Sequence, residues 1–255
     1  MIIDAPKKTH ILGLRELWKE AFFDTDDFLD GFFENVFSFE RCRCIVEDGR
    51  VIAALCWFDC ECEKRKVAYL YAIATLTECR GRGLCSALMS DTHEHLKSCG
   101  YSLAMLVPAS KELFSFYERL GYLACTSVSE TSVCGSVERL DIKQISADEY
   151  GKRRRGMLPK GSVVQESENL VMLGMTSELY AADGVLVALQ RDNEKRRIRI
   201  VELLGDVSLA PRVVGTLGYE KGSVRTAGKG RAFTMSLLLD SSDIALPEYF
   251  GLAFD

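Results

Sequence analysis

The sequence predicts an α+β fold, a mixed α/β sheet layered with helices, built as two successive units, and three observations carry that reading. Apolar residues recur at helical spacing in some stretches and crowd into short strand-like runs in others. The stretches follow one another as helices, hairpin, strand, glycine turn, helix, strand, helix, strand. All 10 cysteines lie between Cys42 and Cys134, and a second round of strand, hairpin, helix and strand comes after them. A chain of 255 residues suits two domains of ordinary size, placed at 1–133 and 134–255.

Residues 9–22 put Ile11, Leu14, Leu17, Trp18 and Phe22 on one helical face, and residues 28–37 repeat the pattern after the acidic turn Asp24-Thr25-Asp26-Asp27. Residues 41–46 and 51–59 read as a hairpin around Glu47-Asp48-Gly49-Arg50. The run 67–75 is apolar on both faces, as in a strand at the middle of a sheet. A glycine turn leads from it into a helix over 84–98, with Leu84, Leu88 and Leu96 inward and Gly100 as its stop. A strand at 101–107 and a short helix at 111–120 complete this half. In the second half, 185–190 and 198–204 form a hairpin around Asp192-Asn193-Glu194, followed by a helical piece near 211–217 and strands near Val224 and over 233–239.

Composition narrows the function classes. With 47% hydrophobic and 27% charged residues and a net charge of −5, the chain is ordinary for a globular protein. A mild acidic excess argues against nucleic acid as a partner and suits cationic substrates. Residues 1–8 carry no apolar leader, and no stretch approaches the roughly 18 apolar residues of a spanning helix, so the expectation is a cytoplasmic protein without a membrane partner. Cys42 and Cys44, like Cys60 and Cys62, share a face of a strand, where cysteine serves as a small buried hydrophobe; no metal is expected. His93 and His95 lie two apart on a helix and do not share a face. The basic run Lys152-Arg153-Arg154-Arg155 reads as a solvated helix face.

The turn Arg80-Gly81-Arg82-Gly83-Leu84-Cys85 is the most informative stretch. Glycines between a buried strand and a helix let a ligand approach the backbone, and the first N–H groups of the helix have no internal partner. The positive end of the helix dipole stands behind those amides, and Arg80 and Arg82 add charge of the sign that suits a pyrophosphate.

Together with Phe116-Tyr117-Glu118-Arg119-Leu120-Gly121-Tyr122, this turn resembles, in content and spacing, the GCN5-related N-acetyltransferase (GNAT) family over residues 1–130. The family's phosphate pattern is Arg or Gln, two residues, Gly, one residue, then Gly or Ala. Arg80 and Gly83 meet it, and Cys85 replaces the small last residue. The resemblance implies a GNAT fold with a central, mostly antiparallel sheet flanked by helices, and acetyl-CoA as co-substrate. It implies that the strand 71–75 splays from 103–108, and that Ile73, Ala74 and Thr75 meet the pantetheine. Arg80, Gly81, Arg82, Gly83, Leu84, Cys85 and Ser86 then hold the diphosphate, with Phe114 and Tyr117 alongside. Tyr117 becomes the general acid that protonates the departing thiolate. The proton acceptor for the amine is not filled, because 67–75 has no carboxylate; Asp24, Asp26, Asp27, Glu61 and Glu63 stay open for it.

The segment Leu106-Val107-Pro108-Ala109-Ser110 looks like that of the multi-domain enhanced-intracellular-survival acetyltransferases, in which the terminal carboxylate enters the active site as base. Here that carboxylate belongs to Asp255, at the end of an apolar tail fit to dock. The second half carries Leu204-Gly205-Asp206 where the phosphate turn would be, so it is expected to be a degenerate GNAT-like domain without a cofactor site. The expected activity is acetyl transfer from acetyl-CoA to a small-molecule or peptide amine, with homodimer formation left open. The alternative is an acyl-CoA-binding or sensing protein that keeps the fold without turnover.

Overall fold

The computed structural model describes residues 2–240 and 245–254. The chain forms two compact units, one from Met1–Leu106, Ser110–Leu123 and Met235–Ile244, the other from Val107–Ala109, Ala124–Thr234 and Ala245–Asp255.

In the first unit, β1 (Ile2–Asp4) precedes α1 (Ile11–Phe22) and α2 (Asp26–Asn35). The helix α1 buries Leu14, Leu17 and Trp18, each worth roughly 1.5–3 kcal/mol when taken fully out of water. The start of α2 falls at Asp26, two residues before the point that apolar spacing suggests, because the Thr25 hydroxyl accepts from the Phe28 amide at 3.2 Å and caps the helix. Strands β2 (Cys42–Glu47), β3 (Arg50–Cys62) and β4 (Arg65–Thr75) form an antiparallel meander. Its first turn is the two-residue Asp48-Gly49, both at positive φ. Its second, Glu63-Lys64, adopts the same left-handed geometry without a glycine, which is why sequence reading ends β3 early.

Helix α3 (Leu84–Ser98) crosses back to β5 (Leu103–Leu106), which lies parallel to β4, and α4 (Lys111–Glu118) follows. Met235 to Leu238 pair antiparallel with β5. Cys42, Cys44, Cys60 and Cys62 are buried in β2 and β3.

The second unit contains β6 (Leu123–Cys134) from Ala124 on, β7 (Lys143–Gln144), α5 (Ala147–Met157), β8 (Val164–Gln165), α6 (Glu168–Thr176) and β9 (Glu178–Ala182). It continues through β10 (Val185–Asp192), β11 (Arg197–Gly205), α7 (Ala210–Thr216), β12 (Lys221–Ala227) and β13 (Arg231–Leu238), the last returning to the first unit. Its sheet runs β6-β12-β11-β10-β9-β7, with β11 and β12 parallel and the other neighbours antiparallel. Each unit thus has a mostly antiparallel sheet with one parallel pair bridged by a helix, β4–α3–β5 and β11–α7–β12.

The basic run on α5 corrects the sequence reading at one residue. Arg153 and Arg155 face outward and pair with Glu149 and Glu166, whereas Arg154 is 1% exposed. Its Nε and Nη2 donate to Glu202 at 2.8 and 3.0 Å, and the Tyr150 and Tyr249 hydroxyls donate to the same carboxylate at 2.8 and 2.9 Å. Burial by itself would raise the Glu202 carboxyl; the charge of Arg154 and these donors outweigh it and hold Glu202 below the ordinary carboxylate range. The tail docks against this network. Gln165 donates to the Leu252 carbonyl at 2.6 Å and accepts from its amide at 3.1 Å. Asp255 lies outside the described residues.

Candidate active site

Pairing between β4 and β5 covers only Val67, Ala68 and Tyr69 against Leu103, Ala104 and Met105. Beyond Tyr69, β4 runs on without a β5 partner and a gap opens. The departure coincides with a bulge: the register steps from Ala54 opposite Ala74 to Cys56 opposite Tyr71, and Ala72 sits at φ 52°. Two residues of β4 then face one of β3, which bends the strand. The Trp18 indole donates to the Ala72 carbonyl at 3.0 Å and satisfies the polar group the bulge displaces.

Past the bulge, the Leu76 amide donates to Ile52 at 2.9 Å, so alternation turns the peptide groups of Ile73 and Thr75 toward the gap, with Ala74 buried between them. The Thr75 carbonyl is taken by Arg80 Nε at 3.2 Å. The Thr75 hydroxyl is buried and has no hydrogen-bond partner among the described residues.

At the helix start the glycines behave as their positions require. Gly81 and Gly83 have φ of 76° and 74°, and a Cβ at either would meet nothing within 4 Å, so the space in front of them is open. Gly83 is the N-cap of α3 and no side chain caps the helix. The first helical bond is Ala87 N–H to the Gly83 carbonyl at 3.0 Å, which leaves the amides of Leu84, Cys85 and Ser86 ahead of the hydrogen-bonded ladder. Arg82 turns away from this opening: its guanidinium donates to both Glu47 oxygens at 3.0 and 2.7 Å.

Tyr117 is on α4 with Phe114 one turn before it; Tyr117 is 6% exposed and Phe114 half-buried. Burial pushes the Tyr117 phenol well above its ordinary value, and nearby Cys85 adds to the shift. Burial likewise raises the Cys85 thiol to about 11, so it stays protonated. The Tyr117 ring meets Tyr122 edge-on at 5.8 Å, and the Tyr122 hydroxyl lies 2.8 Å from His93 Nε2. Burial lowers His93 to about 4, so at neutral pH the ring is uncharged. This Tyr122–His93 pair is not visible in the sequence, although two aromatic residues spaced around Gly121 near a helical histidine are its trace.

The acidic residues left open as proton acceptors separate clearly. Asp26 is bound by Arg15 and Lys19 at 3.0 and 2.5 Å. Asp27, Glu61 and Glu63 are exposed. Asp24 alone of the five is half-buried, and burial raises its carboxyl. It has no ion pair or hydrogen bond among the described residues, and its charge reaches Tyr71 on β4.

The second unit has a different arrangement at the equivalent places. The Asp206 carboxylate accepts from the Ser208 amide at 2.9 Å and so caps the turn before the short α7. Beside the parallel pair, the buried Arg225 donates from Nε to the Val201 carbonyl at 2.8 Å.

A strand pair that splays beside an uncapped, glycine-led helix start is the geometry expected of an acyltransferase domain that draws on a CoA thioester. Residues 3–125 match the acetyltransferase (GNAT) domain family, and the chain carries a GNAT domain there. Among solved structures the chain is similar to a GCN5-related N-acetyltransferase from Anabaena variabilis ATCC 29413, with 13% identity and a TM-score of 0.75 over 94% of this chain and 73% of that one. It is similar to Eis1 from Mycobacterium abscessus, with 13% identity and a TM-score of 0.70 over 94% and 74%. A tandem GNAT protein from the clavulanic acid biosynthesis pathway aligns with 10% identity and a TM-score of 0.57 over 94% and 98%. These likenesses are of fold, and they extend the GNAT arrangement to two domains. None of the curated proteins matches the sequence. No helix among the described residues is long and apolar enough to cross a membrane.

Proposed function

We propose that this protein is an acetyl-CoA-dependent N-acetyltransferase whose catalytic centre is the first unit. The observation that carries the reading is the start of α3, where three successive amides without a side-chain cap follow two glycines in left-handed geometry that have open space beside them. Such amides, with the helix dipole behind them, suit a diphosphate. The peptide edge of Ile73 and Thr75 and the orphaned Thr75 hydroxyl fit an amide-bearing arm in the gap. Ala74, Arg80, Gly81, Leu84, Cys85, Ser86 and Phe114 line the same path; Arg82 reaches it only by leaving Glu47.

When bound, acetyl-CoA supplies a thioester whose C–S bond is exchanged for a C–N bond, with the CoA thiol released. The chain's own residues manage the protons. Tyr117, held protonated by burial, donates to the departing sulfur. Asp24, whose raised carboxyl makes it a stronger base than an exposed aspartate, takes the ammonium proton before attack. Both units together make the two-domain protein, and we infer that the second binds no cofactor, since Asp206 holds the turn that precedes α7 and Arg225 donates to Val201 across the parallel pair β11–β12.

A thiol-release assay with acetyl-CoA and a panel of amines tests the reading. Tyr117→Phe should lower kcat on the order of 100-fold with little change in acetyl-CoA affinity. If the unmodified protein binds acetyl-CoA yet acetylates no amine, the acyl-CoA-binding alternative stands instead, a reading suggested by the missing carboxylate on β4.

A further inference from the structure

The following deepens the N-acetyltransferase reading and rests on it. Carboxylates near the α1–α2 link are nearly all spoken for. Arg15 bridges Asp26 at 3.0 Å and Asp30 at 2.7 Å, Lys19 reaches Asp26 at 2.5 Å, and Glu20 accepts the Thr77 amide at 2.7 Å. Asp27 is exposed in the first turn of α2, where the helix dipole favours an acid. Asp24 is the exception, half-buried and without a partner among the described residues.

Its charge reaches Tyr71, which belongs to an aromatic group. Phe28 and Phe32 stack with ring centroids 6.2 Å apart, Phe32 meets Tyr71 at 6.1 Å, and Tyr71 meets Phe58 at 5.3 Å. Tyr71 stands at the bulge, where β4 leaves β5, so this aromatic group borders the gap assigned to the thioester arm. Phe28 and Tyr71 keep part of their surface open, while Phe32 and Phe58 are buried behind them.

A carboxylate partly withdrawn from water without a cation is unfavourable by itself, and a bound cation compensates it. Aromatic faces add attraction for that cation and contact for an apolar body. We propose that the acceptor is a hydrophobic primary monoamine, an arylalkyl or alkyl amine, whose ammonium pairs with Asp24 and whose apolar part lies on Phe28 and Tyr71. A polyamine or an aminoglycoside carries several cations, and the other acids that could meet them are already neutralised or stand out in solvent.

The test compares acetylation of 2-phenylethylamine and hexylamine with that of spermidine and a lysine peptide, alongside thermal stabilisation by acetyl-CoA. The expected result is a KM for the two monoamines at least tenfold lower than for spermidine or the peptide. Asp24→Asn should raise the KM for 2-phenylethylamine about tenfold or more and leave stabilisation by acetyl-CoA in place. Since Asp24 makes no hydrogen bond or ion pair among the described residues, this variant should melt no lower than the parent. Heat of 2-phenylethylamine binding to the unmodified protein gives a second readout independent of the variant. Preference for spermidine or the peptide, an unchanged KM in Asp24→Asn, or no binding heat overturns the inference and leaves acetyl transfer standing. No stabilisation by acetyl-CoA overturns the underlying reading, and the inference with it.

Discussion

Gly83 combines two requirements that no L side chain meets at once, a φ of 74° and open space in front of the helix amides. Gly83→Ala should therefore cost about 1–2 kcal/mol from conformation, since the space itself is free. It should also weaken acetyl-CoA binding on the order of tenfold by disturbing the amides, as titration calorimetry would show. His93 makes a pH-dependent contribution. Its folded value, about 4, lies below the ordinary 6.5, so the unfolded chain binds more protons between these values. Stability is then fully present above about pH 6.5 and is lost as pH falls toward about 4. For a half-buried ring the loss should be about 2–3 kcal/mol. His93→Gln, which keeps a hydrogen-bonding group for Tyr122, should flatten the pH dependence of urea unfolding in that window. Gly83 and Tyr117 are legible in the sequence because each belongs to a local motif. Asp24 and His93 are not, since what distinguishes them is burial beside Tyr71 and Tyr122, residues far away along the chain.

At the scale of elements, periodicity serves well where one face is buried and poorly where a polar residue is turned inward. Helix α3 spans the 84–98 that its apolar stripe and Gly100 predict. On α5, four consecutive basic residues conceal the fact that a helix turns about 100° per residue, so one of them faces the core. Tyr150 and Arg154 share that inward face, one turn apart, and both reach Glu202. The available signal was a single glutamate inside the apolar run Ile200-Val201-Glu202-Leu203-Leu204. Arg154→Met leaves Glu202 buried without its cation and should destabilise the protein by about 3–5 kcal/mol in urea unfolding. Arg154→Met combined with Glu202→Met should cost less than the two single changes added together, because they remove one interaction.

For the whole molecule, the repeated pattern of a mostly antiparallel sheet with one helix-bridged parallel pair gives two units with unequal chemistry. The first leaves its helix start without a side-chain cap and part of β4 unpaired by β5; in the second, Asp206 caps the turn ahead of α7 and Arg225 donates to Val201 across β11 and β12. Calorimetry should accordingly find one acetyl-CoA bound per chain, and Arg80→Ala together with Gly83→Ala should abolish that binding with no residual site. A second equivalent of binding would contradict the assignment to the second unit. The order of secondary elements was readable in the first half and from β10 onward, but β8, α6 and β9 were not foreseen, nor was the place of β13, whose last four residues pair with β5 more than a hundred positions earlier.

From the amino-acid order alone came the sheet-and-helix succession, the phosphate-type turn, the tyrosine that follows it and the loss of that turn in the second half. Each is written in neighbouring residues, through side-chain period, glycine conformation and local charge. Only the folded chain decided where β4 parts from β5, that Arg82 is held by Glu47, that Arg154 is buried, and which acid stands without a partner. Those outcomes depend on which distant side chains the fold brings within reach of the same donor or acceptor, and a one-dimensional pattern carries no record of that competition.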